Sequence, residues 1–277
     1  MTPFLLLWYC FFAFLLSAWR SMKIYRFLLD GRPAYGILRE DRLHPVRGSI
    51  FDTFDVEAEG LPIAQVRILP PSEPTKIVAV GVNYREHAQE RGRKPPAEPL
   101  IFLKPPSALI GPLDDILYPA MSQRVDYEGE LALVIKRRAG QLQDGDRVED
   151  FILGYTCFND VTARDLQDKD VQFTRAKSFD TFAAAGPCLV PEISPDDLRI
   201  KTFLNGKLRQ SSTTKNLIFS VPFLVRYISR IMTLLPGDII TTGTPSGVGP
   251  MQPGDRVDVQ IEGIGTLSNQ VALAGGP

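Results

Sequence analysis

Asp126-Tyr127-Glu128-Gly129-Glu130-Leu131-Ala132-Leu133-Val134-Ile135 alternates like a β-strand, yet it carries acids where a buried strand should have none. In an extended chain residues i and i+2 project from the same side, so Glu128 and Glu130 stand about 7 Å apart at their bases, within reach of one shared cation. The alternative is a half-exposed strand with its acids in water. That side continues, however, as Ala132 and Val134, while Leu131, Leu133 and Ile135 occupy the other. Two like charges converging beside apolar residues are costly unless a cation or a basic partner compensates them. The stretch reads as a metal site at the edge of a sheet core.

Short β-like runs lead up to it: Ile24 to Leu29, Ala34 to Leu38 and Ile63 to Leu69, broken by Gly, Pro and Asp. They suggest a small N-terminal β unit over residues 22–70, with Pro70 to Pro74 as a linker into a larger domain over 71–277. The valine-rich run Lys76 to Val82 predicts a buried strand that passes into a helical turn capped by Asn83 and ended by Gly92. Further strands are expected at Ile101 to Leu103, Phe151 to Phe158, Pro187 to Val190, Ile239 to Thr241, Arg256 to Ile261, Gly265 to Ser268 and Gln270 to Leu273. A polar helix is expected from Thr162 to about Asp170. The clearest helix is Ser220 to Thr233, where Leu224, Val225, Ile228 and Ile231 form one stripe behind a serine cap and an early proline. Strands outnumber helices, so the fold class is mainly β with a few helices (α+β).

With 277 residues, 44% of them hydrophobic, and a net charge of -1, the chain supports a substantial core and lacks the basic footprint of a nucleic-acid binder. Cys10, Cys157 and Cys188 are too scattered for a disulfide framework, which fits a reducing compartment, the cytoplasm. Residues 1–21 are strongly apolar, short for a membrane span and without a preceding basic region. Met22 is the expected true start. An uncleaved anchor or an organelle-targeting segment is the competing reading.

Asp160 ends the run Gly154 to Phe158 two residues on, at the kind of strand end where sites gather. Taken alone it reads as a helix cap; beside the glutamate pair it becomes a third ligand candidate. Three carboxylates without a cysteine or histidine cluster select a hard ion, Mg²⁺, Mn²⁺ or Ca²⁺, over Zn²⁺. His87 and Glu90 are i and i+3 on one helical face, so the carboxylate can orient the imidazole as a general base. A lone histidine is more often structural. Arg164 is suited to hold a substrate carboxylate in a two-pronged contact, the alternative being an ion pair with Asp165 or Asp168. Lys177 can neutralise a developing enolate or bridge the metal carboxylates. Thr244 offers a hydroxyl and a backbone N–H to a carboxylate, and the glycines near Gly249 serve only the loop. The polar segment Asp165 to Arg175 suits a lid, from which Gln167 can touch substrate.

Taken together, Asn83-Tyr84 with His87 and Glu90, Phe102-Leu103-Lys104-Pro105, Tyr127 to Leu131, Asn159 to Asp165, Ala176 to Asp180, and Pro236-Gly237-Asp238 through Thr242 to Pro245 resemble the fumarylacetoacetate hydrolase family. The likeness runs from about Pro70 to the C-terminus in order. It implies a mixed β-sandwich roll, usually dimeric, with Mg²⁺ or Mn²⁺ on the residues matching Glu128, Glu130 and Asp160. It also implies substrates with a pyruvyl or 2-oxo acid end, and Lys104 joins the expected substrate-binding residues on this resemblance. Acylpyruvases, oxaloacetate decarboxylases and 2-hydroxyhepta-2,4-diene-1,7-dioate isomerases are the most similar branch. The leading expectation is a hydrolase cleaving the C3–C4 bond of a 2,4-dioxo acid. Decarboxylation or isomerisation on the same site, an oxo-acid- or Ca²⁺-binding protein without turnover, and a membrane-tethered β protein are the alternatives. Loss of Glu128 or Glu130 is expected to remove metal dependence with little loss of stability.

Overall fold

The computed structural model describes residues 22–90, 92 and 94–275, so the apolar extension at 1–21 and any start or anchor within it lie outside the described residues. Among the described residues no helix is long and apolar enough to cross a membrane. Among the described residues the α-helices are α1 (Arg85–Glu90), α2 (Arg164–Lys169), α3 (Thr174–Lys177) and α4 (Val221–Ile231). Strands make up most of the rest, and the fold is mainly β with mixed sheets, as the alternating runs require.

A 12-stranded sheet runs, neighbour to neighbour, through Phe54–Val56, Arg42–Gly48, Arg32–Arg39, Ile24–Leu29, Ala183–Val190, Ile152–Asp160, Gly129–Ile135, Ile239–Thr241, Ile77–Gly81 and Leu100–Lys104, with two short strands off that path. The N-terminal unit is thus continuous with the main sheet, through the pairing of Ile24 with Leu189. Ile239–Thr241 pairs parallel with Ile77–Gly81 and antiparallel with Gly129–Ile135, which makes the sheet mixed. A five-stranded sheet, from Lys207–Thr213 through Arg199–Leu204 and Arg256–Ile261 to Gly265–Leu273 and Ile116–Tyr118, covers one face.

Gly129–Ile135 is buried along its whole length. Leu131, Leu133 and Ile135 pack with Val259, Ile261 and Leu267 of the second sheet and with Leu224, Val225 and Ile228 of α4. Ala132 and Val134 join Ile77, Phe158 and Ile239 in a separate core. Each such side chain contributes about 1.5–3 kcal/mol of burial, which pins the register and with it the acids at the strand's start.

Several expectations fail for local reasons. The strand is broken at Glu128: Val125–Tyr127 belongs to a three-stranded sheet with Thr162–Ala163 and Gly249–Met251, and Gly129–Ile135 to the main one. Ile63–Gln65 is a 3₁₀ turn, closed by the Val66 N–H donating to Ile63 O. Pro70 to Pro74 still joins the two expected units, with its Ser72 hydroxyl buried and donating to Gly237 O. Asn83 caps nothing, because its carboxamide is spent on Phe219 and Thr242. The polar helix begins at Arg164, after a short strand. Ser220 occupies the N-cap of α4 without a side-chain bond, and Ile231 leaves the apolar stripe to stand 54% exposed. The hairpin Arg199–Leu204 with Lys207–Thr213 carries no apolar alternation strong enough to announce it.

Candidate metal centre and active site

The break at Glu128 lies where three carboxylates come together. Glu128 N–H donates to Asn159 Oδ1, and Asp160 N–H donates to Glu128 O, so the two chains stay in register through the irregular residue. Gly129 pairs with Asn159 and Glu130 with Phe158, leaving Asp160 as the last residue of its strand beside Glu128. One oxygen from each of Glu128, Glu130 and Asp160 lies within 4.8 Å of the others, and all three side chains are buried. Gly129 between the glutamates has no room for a side chain: a Cβ there would meet Thr202 Oγ1 at 2.1 Å. The Glu-Gly-Glu pattern is therefore set by the close approach of the second sheet.

Buried cations surround the acids. Lys177, on α3, donates to Glu128 Oε2 at 2.9 Å and Asp160 Oδ2 at 2.6 Å, and its ammonium lies 5.1 Å from the Phe102 ring centre. Lys104 donates to Asp160 Oδ1 at 2.5 Å and to Val161 O. Arg164 bonds Asp126 at 2.9 Å, Glu128, and the Gln167 carbonyl at 2.5 Å. Its partners are thus not Asp165, which accepts from Ser122 and Gln123, nor Asp168. Burial pushes the Glu128 carboxyl up, but the Lys177 ammonium and the Arg164 guanidinium outweigh it and hold the group well below the usual range. Burial likewise works against the Lys177 ammonium, yet Asp160 and Glu128 raise its pKa. With one carboxylate partner instead of two, Lys104 is pushed by burial down to about 8.

Glu130 is different. It accepts the Gly243 N–H at 2.8 Å and, among the described residues, makes no ion pair. Burial, with the Asp160 and Glu128 carboxylates beside it, pushes its carboxyl well above the usual range. A buried acid in that position fits a cation ligand, and an all-carboxylate donor set fits a hard divalent ion; the residues present suit the metal that the sequence implied.

His87, on α1, is buried at the same pocket, with Nδ1 3.0 Å from Glu90 Oε2. With the Glu90 oxygen as acceptor, Nδ1 carries the proton and Nε2 is the ring nitrogen left without that partner. The turn into α1 passes through Val82 at φ 55°, a left-handed conformation that β-branched residues rarely adopt and that marks a constrained site. The pocket, about 310 Å³, is lined by His87, Glu128, Glu130, Asp160, Arg164, Gln167, Lys177 and Thr244, with Val80, Val82, Phe102, Val171 and Phe173 as apolar walls. Glu90 and Lys104 stand behind it, each holding a residue of the lining. The Thr244 hydroxyl donates to Gly129 O and accepts from Gln210 Nε2, so it ties the loop to the metal strand. The expected lid is two short helices, α2 and α3, with Val171 almost fully exposed between them.

Sequence reasoning assigned no role to Asp126, Asn159 or Gln210. Asp126 holds Arg164, Asn159 holds the Glu128 backbone, and Gln210 accepts from Gly129 N and donates to Thr244 and Pro245 O. Asn159 was within reach as the neighbour of Asp160; Gln210 sits on the unanticipated hairpin.

The model for the fumarylacetoacetate hydrolase C-terminal domain matches residues 76–272, and one for the N-terminal domain of Rv2993c-like proteins matches 22–71. The oxaloacetate tautomerase YisK of Bacillus subtilis is 42% identical over 224 residues, covering 76% of this chain and 74% of its own. The crystal structure of 2-hydroxyhepta-2,4-diene-1,7-dioate isomerase from Mycobacterium marinum superposes with a TM-score of 0.85 at 41% identity, covering 92% of this chain and all of the other. Maleylpyruvate hydrolase from Sphingobium sp. SYK-6, solved with manganese(II) and pyruvate, superposes with a TM-score of 0.76 at 29% identity, covering 91% of this chain and all of the other. An unbroken match over the whole acid-bearing domain, with the metal candidates and their cations inside it, makes this chain a member of the fumarylacetoacetate hydrolase family of enzymes.

Proposed function

We propose that the protein is a Mg²⁺- or Mn²⁺-dependent hydrolase that cleaves the C3–C4 bond of a 2,4-dioxo acid through the enolate of pyruvate. The observation that carries this reading is the His87–Glu90 pair, with its 3.0 Å contact, on the wall of a pocket whose floor is three buried carboxylates. When bound, the metal supplies a Lewis acid for the oxygens of the 2-oxo acid end. His87 Nε2 takes a proton from water, which adds to C4, and Glu90 stabilises the imidazolium that forms. The C3–C4 bond then breaks, the acyl group leaves as a carboxylic acid, and the electron pair stays on C3. Lys177, held protonated by Asp160 and Glu128, offsets the negative charge of that enolate until C3 is protonated. Arg164, fixed by Asp126, faces the pocket as a partner for substrate carboxylate.

Support for the metal and the pyruvyl end comes from the maleylpyruvate hydrolase, whose structure holds manganese and pyruvate on the same fold. A second reading, oxaloacetate tautomerisation, is favoured by the 42% identity to YisK; it passes through the enolate of oxaloacetate itself, with no water addition and no C–C bond broken. Acetylpyruvate, oxaloacetate and 2-hydroxyhepta-2,4-diene-1,7-dioate, each assayed with Mg²⁺ and Mn²⁺, separate the two. Turnover of acetylpyruvate to acetate and pyruvate is the expected result; tautomerisation of oxaloacetate without acetylpyruvate cleavage would replace the hydrolase by the tautomerase. A homodimer in the cytoplasm is part of the same proposal; sedimentation of the purified protein reads the dimer, and cell fractionation reads the compartment.

A further inference from the structure

Gly247 lies in the loop after Thr244-Pro245, where its glycine looks like turn chemistry alone. Its peptide is bonded on both sides. The N–H donates to Glu90 Oε1 at 3.0 Å, and the carbonyl accepts the Tyr127 hydroxyl at 3.0 Å. Since the other Glu90 oxygen holds His87 Nδ1, an unbroken chain of hydrogen bonds runs from Tyr127 through Gly247 and Glu90 to His87. Tyr127 immediately precedes the metal candidate Glu128 and pairs with Gly249 in the three-stranded sheet, so the chain of bonds is anchored in that sheet.

Glu90 needs such an anchor. It is the last residue of the six-residue α1, with its side chain 38% exposed, and a glutamate there has every torsion free in water. Gly247 also admits no substitute: its φ is +95°, and a Cβ would meet Arg209 O at 2.3 Å.

We propose that Gly247 is a positioning residue, whose peptide, held by Tyr127, aims the Glu90 carboxylate at His87 Nδ1 and so keeps the tautomer that leaves Nε2 free as base. The inference rests on the reading of His87 as the base. It is tested with Gly247→Ala, Glu90→Gln and the double variant, assayed on acetylpyruvate with Mg²⁺. Gly247→Ala is expected to lower kcat/KM by about tenfold or more, and to add little in the Glu90→Gln background, because a residue acting through Glu90 has nothing left to aim. The spectra of ¹⁵N-labelled histidine provide a second readout: the protein has two histidines, and His44→Gln assigns them. Gly247→Ala should move His87 from a single Nδ1–H form towards a mixture of tautomers. Full multiplicative loss in the double variant, with the His87 spectrum unchanged, would overturn the proposal and leave Gly247 a loop residue. Should Gly247→Ala fail to fold, Tyr127→Phe replaces it in the same cycle, since it deletes the hydroxyl and keeps the backbone. Wild-type rates in Glu90→Gln would sink the base assignment instead, while the histidine spectra still decide whether Gly247 aims Glu90.

Discussion

His87 Nδ1 stands 3.0 Å from Glu90 Oε2 within the one short helix α1, and that contact decides which ring nitrogen is free to react. His87→Ala should lower acylpyruvate hydrolysis by about 10²- to 10⁴-fold, the usual weight of a general base, while decarboxylation of oxaloacetate, which needs no activated water, falls less. Glu90→Gln should show a milder form of the same split. Steady-state rates on both substrates check this, and equal collapse of the two activities would withdraw the water-activating role.

Glu128 and Glu130 should differ when the metal is stripped. Glu128 is bonded by Arg164 and Lys177, so Glu128→Ala leaves buried cations short of a partner and should cost about 3 kcal/mol of stability. Glu130 has no such partner among the described residues, and its carboxyl is raised by burial and by its neighbours. A raised acid binds its proton more tightly folded than unfolded, so what Glu130 contributes to stability is present below the unfolded carboxylate pKa and is lost as pH rises through the higher folded one; Glu130→Gln should melt at or above the wild-type temperature at neutral pH. Both variants should lose tight Mn²⁺ binding. Thermal melts in EDTA and Mn²⁺ titrations read the two effects, and a markedly lower melting temperature for Glu130→Gln would contradict this account. On this geometry little loss of stability is predicted for Glu130 and not for Glu128.

Gly129→Ala should disrupt the site without touching a ligand, because its Cβ would meet Thr202 Oγ1 at 2.1 Å across the two sheets. Overpacking of this kind costs about 1–3 kcal/mol. Adding Thr202→Ala removes the offending oxygen and should restore part of the loss in stability and metal affinity. No recovery in the double variant would show that the strand requires glycine for its backbone.

Asp238 carries a pH prediction. Its carboxylate accepts from Thr75 N and Oγ1, Lys76 N, the Lys76 ammonium and Leu235 N, tying the segment before Ile77–Gly81 to the turn before Ile239–Thr241. Burial opposes the charge, but the Lys76 and Thr75 bonds outweigh it and lower the pKa. The stabilisation is therefore present above the unfolded value of about 3.9 and is lost as pH falls through the lower folded one. Asp238→Asn should cost about 1.5–3 kcal/mol at neutral pH and progressively less in acid. Urea melts at pH 7 and pH 3 read the difference; a cost independent of pH would rule the ionic bonds out.

What the sequence by itself determined is everything that rests on short-range pattern. Alternation made Leu131, Leu133 and Ile135 a core face, two-residue spacing put Glu128 and Glu130 together, and i to i+3 spacing joined His87 to Glu90. Those periodicities belong to the local backbone, so the chain carries them wherever it folds. What only the tertiary structure decided is which partners meet across distance. That Lys104 and Lys177 converge on Asp160, that Arg164 takes Asp126 and Glu128 in place of Asp165 or Asp168, and that Gln210 and Gly247 reach the site at all follow from sheet pairing and loop closure. Hydrogen bonds and ion pairs act over a few ångströms whatever the separation in sequence, so a residue such as Gln210, 81 positions from the Gly129 amide it binds, leaves no periodic trace to read.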